Sequence, residues 1–70
     1  MKSIVDIRDL LKQYGSFIYT RDRGMDLQLM QKEIKDLHQY GMISSHTYQG
    51  AILILKQEEA KLGMGDSNGE

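Results

Sequence analysis

The chain has 70 residues, a formal net charge of −1, and no cysteine, proline or tryptophan. A chain of this length supports one small domain, and without cysteine it has neither disulfides nor thiolate metal sites to reinforce it. The charge balance excludes a strongly cationic arm, no stretch approaches eighteen consecutive apolar residues, and the first residues lack a basic-then-apolar export signal; a soluble, cytoplasmic, helical protein is therefore expected.

Glycines punctuate the chain. Gly15, Gly24, Gly41 and Gly63 fall between apolar-periodic segments, as stop signals do. The first segment opens at Ser3, a residue type suited to capping, with Asp6 in the first turn. Ile4, Ile7, Leu10, Leu11 and Tyr14 recur at steps of three and four, which predicts a helix over residues 4–14. Residues 16–22 follow as an extended linker: Phe17, Ile18, Tyr19 and Thr20 have strand-like composition, but no second strand is available to pair with them. Phe17 and Ile18 are expected to fold back into the core.

Asp22 marks the start of a second helix. Leu27, Met30, Ile34 and Leu37 form its apolar stripe, flanked by Leu29 and Tyr40, and Gly41 ends it. Met42 and Ile43 then lie where a chain-reversing cap returns apolar side chains to the helix end. A third helix begins at Ser44 or Ser45 and runs to Leu62. Tyr48, Ala51, Ile52, Leu55 and Leu62 share one face. The run Ile52-Leu53-Ile54-Leu55 is apolar all round, and length rather than periodicity identifies it as helix. Gly50 in its interior costs about 1 kcal/mol against alanine and marks either a close helix approach or nothing. The predicted architecture is an all-α three-helix bundle over residues 1–62, with short connections and a flexible tail over residues 63–70.

Little in the chain resembles catalytic machinery. His38 and His46 stand without the further His, Cys or carboxylate spacing of a zinc site and read as two partly solvated histidines. No nucleophile elbow and no phosphate loop occurs. Neither an enzyme nor a metal or other cofactor is expected.

Residues 14–23 hold Tyr14, Phe17, Tyr19, Arg21 and Arg23. Binders of single-stranded nucleic acid use this mixture, because aromatic faces stack on bases and arginines contact phosphates. Arg8 and Lys12, one helical turn apart, extend it as a short basic ridge. Residues 1–24 carry five Lys/Arg against three Asp/Glu, while residues 25–70 carry four against seven. The competing reading places Tyr14 and Phe17 in the core and leaves Arg21 and Arg23 to solvate a loop or pair with Asp22 and Asp26. A helix-turn-helix is rejected, since the third helix opens with Ser45, His46, Thr47, Gln49 and Gly50 and has no Lys or Arg before Lys56. The aliphatic run suggests another class of function: Leu53 or Ile54 points away from the core, either under the linker or towards a second copy.

The stretch Leu10-Leu11-Lys12-Gln13-Tyr14-Gly15-Ser16-Phe17-Ile18-Tyr19-Thr20, followed by Asp22-Arg23 and later by Tyr48-Gln49-Gly50-Ala51-Ile52-Leu53-Ile54-Leu55, resembles the YqgQ family of small proteins from Gram-positive Firmicutes. The similarity covers roughly residues 5–62. It implies a three-helix bundle and single-stranded nucleic-acid binding, with Lys12, Tyr14, Phe17, Tyr19, Thr20 and Arg23 at the matching positions. Gly50 departs from the longer polar residue expected there. The leading expectation is a non-enzymatic module that binds single-stranded RNA or DNA weakly through Arg8, Lys12, Tyr19, Arg21 and Arg23. The alternative is a structural or regulatory interaction module, with a protein partner or as a homodimer, that uses the aliphatic surface of the third helix. No membrane partner is expected.

Overall fold

A computed structural model of the chain describes residues 1–63. Three helices follow one another, α1 (Ile4–Gln13), α2 (Arg23–Gln39) and α3 (Ser45–Lys61). At the start of each, a polar side chain accepts from backbone amides that the helix leaves free. The Asp6 carboxylate of α1 reaches back to accept from the amides of Lys2 at 2.6 Å and Ser3 at 3.3 Å. Asp22 accepts from the Met25 amide at 3.1 Å, and Ser44 accepts from the Thr47 amide at 3.1 Å.

Two of the helices end in the same way. Gly15 and Gly41 adopt φ of +84° and +73°, a left-handed geometry in which a Cβ would be strained. After α1, the Ser16 amide donates to the Leu11 carbonyl at 2.9 Å and Gly15 to Lys12 at 3.0 Å. After α2, Met42 donates to Leu37 at 2.8 Å and Gly41 to His38 at 3.0 Å. This paired pattern satisfies the last carbonyls and turns the chain back.

The core is built from Ile7 and Leu11 of α1, Leu27, Met30 and Ile34 of α2, and Ala51, Ile54 and Leu55 of α3. Ile4, Leu10, Ile18, Leu37, Ile43, Tyr48 and Ile52 pack around it. The largest interface joins α2 and α3, and α1 lies against both. His38 stacks on Tyr48 across that interface, with ring centroids 4.2 Å apart and planes within 8°. The aliphatic run is helical: Ile54 and Leu55 are buried and Ile52 is half-buried, while Leu53 turns outward. A methyl group added at Gly50 would meet no atom within 4 Å, so this glycine marks no close approach.

Several expected core positions lie at the surface instead. Phe17 is 78% exposed. In an extended segment, successive side chains point to opposite sides, so once Ile18 packs on the core, Phe17 and Tyr19 face out. Tyr14 closes α1 with its ring partly in solvent and its hydroxyl donating to the Met42 carbonyl at 3.0 Å. Leu62, Leu29 and Tyr40 are exposed at the edges of their stripes, and of the pair after Gly41 only Ile43 returns to the core. Among the described residues, no helix is long and apolar enough to cross a membrane. From residue 64 onward, the expected tail lies outside the described residues.

Candidate nucleic-acid interface

The linker between α1 and α2 is clamped at three points. The Ser16 hydroxyl donates to Glu33 of α2 at 3.0 Å. Arg8, from the middle of α1, donates through Nη1 to the Ile18 carbonyl at 2.9 Å. Asp26, from the first turn of α2, accepts at Oδ1 from both the Thr20 amide at 2.8 Å and the Thr20 hydroxyl at 2.6 Å. Thr20 also accepts from the Asp22 amide at 3.2 Å, which ties it to the cap of α2. Between these clamps the backbone has no helical or strand partners, and the rings of Phe17 and Tyr19 stand outward, Tyr19 being 75% exposed.

Asp26 is 4% exposed, the one buried charged side chain among the described residues. The hydrogen bond from the Thr20 hydroxyl is the main reason that its carboxyl lies below the usual carboxylate range. The Thr20 amide and the nearby charges of Arg8 and Arg23 act in the same direction, against the cost of desolvation. The sequence reading treats Asp26 only as a possible partner for an arginine. One signal of its burial was available: Asp26, Met30 and Ile34 are spaced by four, so Asp26 lies on the apolar stripe of α2.

Two hollows flank the outward rings. The first, about 270 Å³, has Leu11 and Met30 in its lining, with Arg8, Lys12, Phe17 and Tyr19 around them. The second, about 320 Å³, is lined by Arg8, Tyr19, Arg21, Arg23 and Asp26. Arg8 and Tyr19 belong to both, so the hollows adjoin. The five expected site residues are thus neighbours: Lys12 borders the first hollow, Arg21 and Arg23 border the second, and Arg8 and Tyr19 stand between.

Their charges are not equally available. Arg23 pairs with Glu58 at 2.7 Å rather than with Asp22 or Asp26. Glu58 also pairs with Lys61 at 3.1 Å, and the hydrogen bonds from Lys61 and Arg23 lower its carboxyl below the ordinary value. Glu58 lies on α3, 35 residues from Arg23, and sequence spacing carries no signal for this pair. Arg8, Lys12 and Arg21 form no ion pair among the described residues. Arg21 adopts φ of +70°, the one non-glycine residue in the left-handed region among those described.

The histidines serve the fold or face outward. Besides its stack on Tyr48, His38 places Nε2 3.1 Å from the Ser45 hydroxyl. His46 is exposed and borders a third hollow with Met1, Gln49, Gly50 and Leu53. Leu53 is 58% exposed there, so neither the linker nor the core covers it.

A family model described as YqgQ-like matches residues 1–61. The chain is also 31% identical over 58 residues to the uncharacterized protein YqgQ of Bacillus subtilis (strain 168), covering 83% of this chain and 82% of that protein. The chain belongs to the YqgQ-like family.

Proposed function

We propose that this YqgQ-like chain is a non-enzymatic binding module that takes single-stranded RNA or DNA across the linker between α1 and α2. The observation that carries this reading is the exposure of Phe17 and Tyr19 on a clamped segment bordered by Arg8, Lys12, Arg21 and Arg23. Phe17 is the chain's only phenylalanine. A small domain with one phenylalanine gains most by burying it, so a ring held in water by a backbone clamp is available to a ligand. Bases stack on such rings irrespective of sequence, and the flanking cations meet the phosphates. Few phosphates are neutralised, so binding is weak and depends strongly on salt.

Fluorescence anisotropy with a labelled oligonucleotide at low salt tests the reading, and an absence of binding at high micromolar protein refutes it. Replacing Arg21 with alanine is expected to reduce the slope of log K against log salt by about 0.7, the loss of one single-strand phosphate contact. The same change at Arg23 also releases Glu58, so its effect on stability must be measured separately.

A second reading rests on Leu53, whose exposure on α3 beside Gly50 supports self-association through that face. Size-exclusion chromatography with light scattering distinguishes the two readings: a strict monomer at high concentration removes this one.

A further inference from the structure

The two hollows differ in chemistry. The first has an apolar floor with rings at its rim, whereas the second is bordered by three arginines, Tyr19 and Asp26. We propose that the second hollow takes a phosphate monoester at the end of a nucleic-acid strand, while the neighbouring base enters the first hollow. The inference rests on the single-strand reading above and adds to it a preference for phosphorylated ends.

The charge count favours an anion. Arg8 and Arg21 face the hollow without an ion pair, whereas Arg23 is held by Glu58 at 2.7 Å and Asp26 contributes one negative charge. The hollow therefore remains net positive, with Arg8 and Arg21 outweighing Asp26. A phosphate monoester carries −1.5 to −2 at neutral pH and has three free oxygens, whereas an internal phosphodiester carries one charge and has two.

Donor capacity points the same way. An arginine has five N–H donors in a planar fork. Arg8 commits Nη1 to the Ile18 carbonyl, Arg23 commits Nη2 to Glu58, and Arg21 commits nothing among the described residues. Each guanidinium thus retains donors for an oxyanion, and planar forks suit phosphate. Asp26 also borders the hollow and repels an anion, but its Oδ1 is saturated by Thr20 and its position holds the linker rather than the ligand. Tyr19 stands between the hollows, where a ring can stack on a base whose phosphate lies beyond it. Arg21 is held in the left-handed region; such strain is common where a side chain is aimed at a ligand.

The test compares two labelled oligothymidylates of equal length, one with a 5′-phosphate and one with a 5′-hydroxyl, with matched 3′-phosphorylated strands included. The expected result is about tenfold tighter binding of one phosphorylated end, corresponding to one or two additional charge-assisted hydrogen bonds. Arg21→Ala is expected to abolish that preference, while Lys12→Ala weakens all strands equally. If all strands bind equally, the end-reading inference fails and the single-strand reading stands. If no strand binds, both fail. Competition by thymidine 5′-monophosphate as strong as that of the phosphorylated strand would assign the hollow to free nucleotides and overturn the proposal. The folded state of each variant is checked by circular dichroism, and Arg21→Lys, which keeps the charge but loses the fork, is expected to recover only part of the preference.

Discussion

Phe17 and Tyr19 show how a residue's surroundings override its composition. Phe17 was expected in the core and Tyr19 at the binding surface, and one neighbour, Ile18, turns both outward by occupying the inward position. Phe17→Ala and Tyr19→Ala are therefore expected to change stability by less than about 0.5 kcal/mol, the range of surface substitutions, in urea titrations. In the proposed role, each removes about 1–3 kcal/mol of binding. A large drop in stability with no change in binding would contradict the exposure on which the functional reading rests. Arg21 offers a complementary test. Its left-handed backbone costs roughly 1–2 kcal/mol for a residue with a Cβ, and glycine relieves this at an entropic cost of about 0.5–1 kcal/mol. Arg21→Gly is expected to leave thermal stability equal or raised by up to about 1.5 kcal/mol while weakening oligonucleotide binding.

At the level of elements, much of the architecture was readable from stop and start residues. Asp22, Ser44, Gly15 and Gly41 carry their function in their chemistry, and they occupy the positions their residue types suggest. The apolar run of α3 was readable by length, although which of Leu53 and Ile54 faced out depended on where α1 and α2 lay. The linker was less legible, because its path depends on Arg8, ten residues before Ile18, and on Asp26, six residues after Thr20. The partnership of Arg23 with Glu58 was not legible at all, since only the packing of α3 on α2 brings them together. Two glycines with opposite roles give a paired prediction. Gly50→Ala meets no neighbouring atom and is expected to stabilise the protein by about 0.5–1 kcal/mol. Gly41→Ala forces a side chain into φ of +73° and is expected to destabilise it by about 1 kcal/mol or more. Thermal melts of the two variants should therefore move in opposite directions.

Across the whole molecule, three carboxylates stand at the joints. Asp6 secures the start of α1, Asp26 ties the linker to α2, and Glu58 links α3 to Arg23 at the head of α2. Hydrogen bonds lower all three below their ordinary values: from the Lys2 and Ser3 amides to Asp6, from Thr20 to Asp26, and from Lys61 and Arg23 to Glu58. A carboxyl depressed in the folded state contributes stability that is fully present above its unfolded value near 4, and that contribution is lost as pH falls through the folded value. Stability is thus expected to change little on this account between pH 7 and about 5 and to decline below about 4. Asp26→Asn separates the charge from the geometry, because the amide oxygen can still accept from Thr20 while the negative charge facing Arg8 and Arg23 is gone. The variant should be less stable than the parent at pH 7, and the gap should narrow progressively as pH falls below about 4, where the unfolded parent takes up the proton that the folded clamp resists. Urea unfolding at pH 7, 5, 4 and 3 measures this directly. A constant gap between the curves would mean that Asp26 acts through packing alone, and the charge-based account of the clamp would then be wrong.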